Sequence, residues 1–256
     1  MIRSTDFLIL TVKKIRLDIL LSDADSPFDL TRTKAASLIM EGMVSVNGSV
    51  CAKPGTPVDR DSVITIKELN PYVSRGGLKL KGALTDFNLD VKSKRAIDIG
   101  ASTGGFTDCL LKEGADFVYC IDVGYGQLHY SLRNNPKIKN LENTNIKYLT
   151  FEDIGEELDI AVCDASFISL AKILPHILKF IKKQGLMLML IKPQFETGNK
   201  SILKKGVIKD PALYESIINN IINFSKNLNL AVDGVKKSCI KGKKGNTEFF
   251  ILLRKN

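Results

Sequence analysis

From residue 96 onward, short runs of apolar residues alternate with longer stretches in which apolar residues recur at helical spacing. Short apolar runs are typical of buried strands, and spacings of three and four residues are typical of amphipathic helices. This pattern predicts strands at 96–99, 117–121, 140–146, 159–163, 186–191, 229–237 and 247–253. It predicts helices at 77–87, 105–113, 126–133, 168–183 and 211–227. Such alternation is typical of a mostly parallel α/β sheet with helices on both faces.

The first 67 residues have a different pattern. Ile15–Leu21 predicts a short helix, and Asp29–Gly42 predicts a second helix that ends at a glycine. Val44–Gly48 predicts a short strand with an Asn-Gly turn, and Val63–Ile66 predicts another strand. We therefore expect a small α+β domain at 7–67, a linker at 68–74 and a large α/β domain at 75–256.

A glycine-rich turn follows the first strand of the large domain. Gly100, Gly104 and Gly105 lie between this strand and the next helix, and Asp122 ends the second strand. A glycine turn and a strand-end acid in this order are typical of a nucleoside-binding α/β unit. The spacing differs from the dinucleotide fingerprint G-x-G-x-x-G, which argues against a pyrophosphate ligand. It fits S-adenosylmethionine, because this cofactor has no phosphate and its cationic sulfonium suits a nearby acid such as Asp98.

Composition and charge narrow the class of protein. The net charge is +9, and it is segregated: residues 96–197 carry 10 basic and 13 acidic residues, whereas residues 198–256 carry 12 and 4. A basic segment beside a mildly acidic cofactor region favours a polyanionic substrate. Five cysteines without a CxxC pair or a His/Cys cluster favour a reducing cytoplasm and no metal site. The apolar runs are too short for a membrane span, and Phe7–Leu10 is too short for a signal peptide.

Four polar residues interrupt apolar patterns in the large domain. Lys79 lies early in the helix before the first strand, and Glu248 lies in the last strand. Asp164 ends the fourth strand and Lys192 ends the fifth. Ligands of open α/β sheets bind outside the carboxyl ends of the strands, so Asp164 and Lys192 are expected beside the glycine turn. Each residue alone has a plausible structural role, but the set together favours catalysis.

The chain resembles the TlyA family, in which an S4-type RNA-binding domain precedes a Rossmann-like, FtsJ-like ribose 2'-O-methyltransferase domain. The resemblance covers nearly the whole chain. The motifs that carry it are Ser74–Leu80, Asp98–Thr107, Asp122–Leu128, Asp164–Leu170, Lys192–Glu196 and Gly245–Phe249. By this resemblance Lys79, Asp164, Lys192 and Glu248 form the K-D-K-E catalytic tetrad. The family methylates ribosomal RNA on cytidine ribose, and some members are called hemolysins.

The resemblance also implies roles for further residues. The residues expected to bind S-adenosylmethionine are Asp98, Gly100, Ser102, Thr103, Gly104, Gly105, Phe106, Asp122, Val123, Asn145 and Asp164. The residues expected to bind RNA are Arg32, Lys34, Arg75, Lys241, Lys243 and Lys244. The partners are then ribosomal RNA or ribosomal subunits, without stable membrane insertion; the sequence does not indicate an oligomeric state.

Some alternatives remain open at this point. The chain could be an RNA-binding protein without catalysis, or a membrane-active hemolysin, although it has no strongly amphipathic cationic helix. Lys192 could act as a base, which requires a lowered pKa, or as a charged group that orients the 2'-oxygen. The chain departs from the family at Ser238–Cys239, where Ser-Pro is common, and in the basic segment Lys241–Gly245.

Overall fold

The computed structural model describes residues 14–67, 70–198, 203–204, 206–208 and 210–256. The predicted domain start at residue 7, the segment Phe7–Leu10 and the first two linker positions, 68 and 69, lie outside the described residues. The chain folds as two compact units, Met1–Leu69 and Asn70–Asn256.

The first unit is a small α+β fold. Its elements are β1 (Ile15–Arg16), α1 (Leu17–Leu21), α2 (Arg32–Met40), β2 (Val44–Val46), β3 (Ser49–Cys51), β4 (Pro57–Val58) and β5 (Ile64–Ile66). Strand β2 pairs antiparallel with both β3 and β5, and β1 pairs with β4. Leu17, Leu21, Leu38 and Ile39 are fully or almost fully buried between the helices and the sheet. The predicted order of two helices and a small hairpin is present.

The second unit is an α/β fold. Its helices are α3 (Arg75–Asp86), α4 (Gly105–Lys112), α5 (Tyr130–Arg133), α6 (Phe151–Ile154), α7 (Leu174–Ile177), α8 (Pro193–Glu196) and α9 (Ala212–Asn227). Its strands are β6 (Arg95–Ile99), β7 (Phe117–Ile121), β8 (Ile138–Leu141), β9 (Leu158–Cys163), β10 (Ile181–Ile191), β11 (Leu203–Lys204), β12 (Val207–Ile208), β13 (Leu230–Lys237) and β14 (Phe249–Lys255). Short 3₁₀ turns at Leu170–Lys172 and Leu178–Phe180 flank α7.

Seven strands form one sheet in the order β13-β14-β10-β9-β6-β7-β8. Neighbours from β10 to β8 are parallel, and β14 is antiparallel to both β10 and β13. The prediction of a mostly parallel α/β sheet is therefore confirmed. Strand β6 pairs with β7 on one side and with β9 on the other. The carboxyl ends of β6 and β9 thus flank the switch point at which α/β proteins bind ligands.

The sheet is buried on both faces, because successive residues of its inner strands enter two different hydrophobic clusters. In β7, Tyr119 and Ile121 belong to one cluster, whereas Val118 and Cys120 belong to the other. Adjacent side chains of a strand point to opposite faces, so each cluster covers one face. This explains why the inner strands are continuous apolar runs in the sequence.

Two predicted boundaries between residues 126 and 146 were wrong. The helix expected at 126–133 is only α5, because the Glu142 carboxylate accepts hydrogen bonds from the backbone N–H groups of Gly126, Gln127 and Leu128 and holds them as a loop. The strand expected at 140–146 is β8 and ends at Leu141.

The helix predicted at 168–183 is replaced by short turns around α7. Pro175 lies in the first turn of α7, which is four residues long, and β10 already begins at Ile181. Strand β10 contains an irregularity between Ile181 and Leu186, where Gln184 has a φ of 61°. The apolar residues at helical spacing are therefore buried against the sheet, but they lie in short turns and not in one long helix.

Among the described residues, no helix is both long enough and apolar enough to cross a bilayer. The same part of the chain contains no group of His, Cys, Asp or Glu side chains arranged to hold a metal ion.

Candidate active site

The glycine turn after β6 is anchored by a buried acid. Asp98 is fully buried, and its Oδ2 accepts hydrogen bonds from the backbone N–H of Thr107 at 3.1 Å and from the Thr107 hydroxyl at 2.7 Å. This pair ties the end of the strand to the first turn of α4. The other oxygen, Oδ1, is buried without a hydrogen-bond partner among the described residues.

The pKa of Asp98 is raised to about 7, chiefly by burial; the Thr107 hydrogen bonds oppose this shift and the nearby Asp164 adds to it. Burial acts in this direction because it disfavours the charged form of an acid. Asp98 was predicted to lie near the sulfonium. The structure places it within the sheet, beneath the turn, where it supports the turn from inside.

Two glycines give the turn its shape. Gly100 has a φ of +79°, and a Cβ atom there would lie 3.0 Å from the backbone of Ala165, at the end of β9. Gly104 has a φ of +88° and caps the N-terminus of α4. Both conformations are ones that only glycine adopts without strain. The backbone of the turn therefore lies so close to the backbone of the loop after β9 that a side chain at Gly100 would be crowded.

Gly105 and Phe106 do not face the open edge of the sheet. A Cβ atom at Gly105 would lie 2.1 Å from Oγ of Ser74 and 3.0 Å from the backbone nitrogen of Gly77, so this glycine allows α3 and α4 to pack closely. Phe106 is buried and stacks on Phe250 with ring centroids 6.1 Å apart. The side-chain positions of Gly105 and Phe106 are therefore taken up by packing contacts. For these two residues, a contact with the cofactor remains a prediction for the backbone only.

The strand-end acid Asp122 joins two loops. Its Oδ2 accepts a hydrogen bond from the backbone N–H of Ser102 at 2.8 Å, and its Oδ1 accepts one from Gly124 at 2.7 Å. Val123 beside it is 70% exposed. A carboxylate with spare lone pairs next to an exposed apolar side chain is suited to ribose hydroxyls and a purine face.

The remaining predicted cofactor residues lie near Asp122. The backbone N–H of Thr144 donates to the carbonyl of Asp122 at 2.9 Å, which brings the exposed Asn145 beside the same loop. Oδ1 of Asn145 accepts a local hydrogen bond from the backbone N–H of Lys147 at 3.0 Å. Thr103 is exposed in the glycine turn, and its carbonyl accepts a hydrogen bond from the backbone N–H of His129.

Lys79 of α3 is paired with an acid from the far end of the chain. Its Nζ lies 2.6 Å from Oε2 of Glu248 and 3.9 Å from Oδ2 of Asp164. The side chains of Lys79 and Glu248 are only 10% and 3% exposed. Because a buried charge is costly unless it is paired, each residue depends on the other.

Lys192, which follows β10, is held by one ion pair and two hydrogen bonds. Its Nζ lies 2.5 Å from Oδ1 of Asp164, 3.1 Å from the carbonyl oxygen of Asp164 and 2.7 Å from Oγ of Ser166. An ammonium has three hydrogens to donate and no lone pair. The Asp164 carbonyl and the Ser166 hydroxyl accept hydrogen bonds from this ammonium, whereas Oδ1 of Asp164 forms a close ion pair with it and has no hydrogen-bond partner among the described residues.

The four residues form one chain of alternating charges in the order Glu248, Lys79, Asp164, Lys192. Lys79 lies in α3, and Asp164 and Lys192 directly follow β9 and β10. Glu248 was predicted to lie in the last strand, but it directly precedes β14, which begins at Phe249. Two acids and two bases give this cluster no formal net charge. The cluster adjoins the glycine turn, because Gly100 packs against the backbone of Asp164 and Ala165.

Two residues that the sequence did not single out support the cluster. Ser166 binds Lys192 directly. Glu196 of α8 accepts a hydrogen bond from the backbone N–H of Leu170 at 2.9 Å, and burial raises the pKa of its carboxyl. Both lie inside motifs that carry the family resemblance, so their motif position was the signal that could have found them.

The predicted RNA-binding residues lie in both units. In the second unit, Arg75 donates a hydrogen bond to the carbonyl of Lys241 at 2.8 Å, and this lysine, Lys243 and Lys244 are exposed. In the first unit, Arg32 and Lys34 lie in the first turn of α2 and are exposed.

Comparison with known proteins gives two family matches. Residues 72–255 match the model of the FtsJ-like methyltransferases, and residues 15–64 match the S4 domain. The chain is 42% identical to the 16S/23S rRNA (cytidine-2'-O)-methyltransferase TlyA of Mycobacterium tuberculosis (strain ATCC 25618 / H37Rv), over 88% of this chain and 84% of that protein.

Solved structures agree with these matches. A candidate hemolysin from Streptococcus thermophilus is 37% identical, with a TM-score of 0.73 over 96% of this chain and 90% of that one. An S-adenosylmethionine dependent methyltransferase from Mesorhizobium loti shares the fold at 12% identity, with a TM-score of 0.51 over 68% of this chain and 96% of that one.

Proposed function

The chain belongs to the FtsJ-like methyltransferases and, within them, to the TlyA family, and on this basis we propose that it methylates the ribose 2'-hydroxyl of a cytidine in ribosomal RNA. S-adenosylmethionine is the proposed methyl donor. The observation that carries the proposal is the convergence of Lys79, Asp164, Lys192 and Glu248 into one chain of ion pairs beside the glycine turn.

The residues at the switch point fit S-adenosylmethionine. Asp122 offers carboxylate oxygens at the end of β7, Val123 offers an exposed apolar side chain, and Asn145 lies exposed beside them. The glycine turn itself, residues 100–105, contains no arginine or lysine that would neutralise a pyrophosphate. When bound there, the cofactor supplies an electrophilic methyl group on a cationic sulfur, and the half-buried Asp164 is an acid suited to that charge.

Lys192 is proposed to orient the substrate 2'-oxygen and to stabilise the negative charge that develops on it. In the present arrangement its ammonium donates to Asp164 and Ser166. An ammonium that is fixed by an ion pair and two hydrogen bonds is a preorganised donor, which stabilises developing negative charge without reorganisation. These hydrogen bonds use two of the three ammonium hydrogens, and the third is the one proposed to contact the substrate 2'-oxygen.

Lys79, Asp164 and Glu248 are proposed to hold Lys192 in position. Asp164 links the two lysines, since each of its carboxylate oxygens faces one of them. Glu248 neutralises Lys79, which would otherwise be a buried charge next to Lys192. Alignment of this kind supplies much of the rate of an in-line methyl transfer.

Ribosomal RNA as substrate is supported by the S4 domain match and by the exposed basic residues of both units. Lys241, Lys243 and Lys244 lie in the loop that precedes Glu248 and is bound to α3 through Arg75. Exposed lysines on a loop suit backbone phosphates, which supply most of the affinity but little of the sequence selection.

The experiment is methyl transfer from labelled S-adenosylmethionine to small and large ribosomal subunits from bacterial cells that lack this modification. Lys192→Ala should lose the label, whereas Lys183→Ala should keep it. Lys183 is an exposed lysine on β10, the strand that leads to Lys192, with no ion pair among the described residues, so it is a matched control. Mapping the label to a ribose 2'-oxygen of cytidine would establish the reaction.

Two outcomes would contradict the proposal. The first is the absence of label on both subunits and on free ribosomal RNA while the wild-type protein binds S-adenosylmethionine. The second is undiminished transfer by Lys192→Ala, which would remove the tetrad from the mechanism.

A further inference from the structure

Among the described residues of the first unit, one carboxylate is almost completely buried and lies beside two exposed arginines. The side chain of Asp18 is 4% exposed, whereas those of its partners Arg16 and Arg32 are 52% and 58% exposed. Exposed arginines normally sample many conformations. Here both share one fixed partner.

The geometry fixes both guanidinium groups. Arg16 binds Asp18 with two parallel hydrogen bonds, from Nε to Oδ1 and from Nη2 to Oδ2, each 3.0 Å long. Arg32 adds a third bond from its Nε to Oδ2 at 3.1 Å. Among the described contacts, the two terminal nitrogens of Arg32 have no partner, so they remain available to a ligand.

The backbone supports the same arrangement from below. Gly55 packs against the guanidinium of Arg16, since a Cβ atom there would lie 3.3 Å from Cζ. The backbone N–H of Asp18 donates to the carbonyl of Pro54 at 2.9 Å, which fixes the carboxylate beside the same turn. Arg16 precedes α1 and Arg32 begins α2, so the carboxylate brings together two residues that are distant in the chain.

The electrostatics agree with this geometry. The Arg16 hydrogen bonds, with help from Arg32, lower the pKa of Asp18 to about 2, so the carboxylate is charged at neutral pH. The cluster therefore has one net positive charge. Planar guanidinium forks match the oxygens of phosphate groups and bind them with two hydrogen bonds each.

We propose that Asp18 is a positioning residue that presents Arg16 and Arg32 as a paired contact for the phosphate backbone of RNA. The inference rests on the proposed function, in which RNA is the substrate. It goes beyond the sequence analysis, which predicted RNA binding by Arg32 but gave no role to Arg16 or Asp18. A purely structural role would be to neutralise the buried Asp18 carboxylate, and the two parallel hydrogen bonds from Arg16 already do so without Arg32.

The two explanations predict opposite effects of removing the carboxylate. Asp18→Asn makes the protein more positive by one charge, and a nonspecific electrostatic effect would then strengthen RNA binding. If the carboxylate positions the two arginines, the same substitution weakens RNA binding because both guanidinium groups lose their fixed orientation.

The test is equilibrium binding of the full chain to ribosomal RNA extracted from cells that lack the modification, measured at increasing KCl concentration. Asp61→Asn is the matched control, because Asp61 is an exposed carboxylate of the same unit with no ion pair among the described residues. We expect the Kd of Asp18→Asn to rise about tenfold. We expect Asp61→Asn to bind as tightly as the wild type or more tightly.

A double-substitution cycle separates positioning from loss of fold. Arg32→Met should weaken binding in the wild type and reduce the salt dependence by about one phosphate contact, a slope change of roughly 0.7–0.9. In the Asp18→Asn background the same change should cost much less, because the guanidinium is no longer held in place. Thermal unfolding of each variant reports whether the unit stays folded, and Arg16→Met with Arg32→Met tests the contact if Asp18→Asn does not fold.

The inference is overturned if Asp18→Asn binds RNA at least as tightly as Asp61→Asn, or if Arg32→Met costs the same in both backgrounds. A wild-type protein that neither binds nor methylates ribosomal RNA would instead overturn the proposed function, and this inference with it.

Discussion

The ammonium of Lys79 lies 2.6 Å from Oε2 of Glu248, although 169 positions separate the two residues in the chain. The pair is almost completely buried, and it joins the helix before the first strand of the sheet to the start of the last strand. Its position next to Asp164 makes it both a structural contact and a part of the candidate catalytic cluster.

The first prediction separates these two contributions. Glu248→Gln should lower the free energy of unfolding by about 3–5 kcal/mol, because it leaves the buried Lys79 without its main counter-ion. It should also reduce kcat. The double variant Lys79→Met with Glu248→Leu should regain much of the stability without regaining methyl transfer. Denaturant unfolding and methyl-transfer kinetics measure the two effects; recovery of activity in the double variant would rule out a role in the reaction.

Gly242 provides a second test of the same carboxylate. A Cβ atom there would lie 2.4 Å from Oε1 and 2.9 Å from Cδ of Glu248. Gly242→Ala should therefore displace the carboxylate and lower kcat at least tenfold, with little change in the affinity for S-adenosylmethionine. Gly245→Ala, in the same loop, is the control: its φ of +85° adds backbone strain, but no atom lies within 4 Å of its Cβ position. Equal kcat values in the two variants would contradict this prediction.

Asp98 should make stability depend on pH. Its pKa is about 7 in the folded protein against 3.8 ordinarily, so the folded state binds this proton more tightly than the unfolded state. Stability should thus fall as pH rises from about 4 to about 7, by up to about 4 kcal/mol from this group. Asp98→Asn, which keeps an acceptor for Thr107, should flatten this part of the curve. Unfolding measured from pH 5 to 8 tests it, with the exposed Asp86→Asn as control; an unchanged slope in Asp98→Asn would argue against a buried neutral acid.

Ser166 should affect catalysis through Lys192. Its Oγ accepts one of the two hydrogen bonds that the ammonium donates, at 2.7 Å. A hydrogen bond to a charged group is worth about 1.5–3 kcal/mol, less where it is exposed, so Ser166→Ala should lower kcat about tenfold. The affinity for S-adenosylmethionine should not change, and Ser166→Thr, which keeps the hydroxyl, should restore part of the rate. A Thr variant as slow as the Ala variant would count against a role of the hydroxyl.

Local sequence patterns predicted the main features of the fold. The apolar runs that became β6, β7 and β9 were recognisable because inner parallel strands are buried on both faces. The glycines at 100 and 104 were recognisable because tight turns favour glycine, and both indeed have a positive φ, which other residues rarely adopt. The family and the methyltransferase domain were also predicted correctly, since the motifs are long and ordered.

The sequence by itself thus determined the order of the seven strands of the large sheet, the helices α3, α4 and α9, the position of the turn and the choice of the four polar residues. Tertiary structure alone decided that Lys79 pairs with Glu248, that Lys192 is surrounded by Asp164 and Ser166, and that Gly105 faces α3 instead of the open edge. Strand and turn patterns depend on neighbours a few residues away, so they can be read along the chain. Ion pairs and helix contacts depend on residues far apart in sequence, and only the packing of the whole sheet brings those residues together.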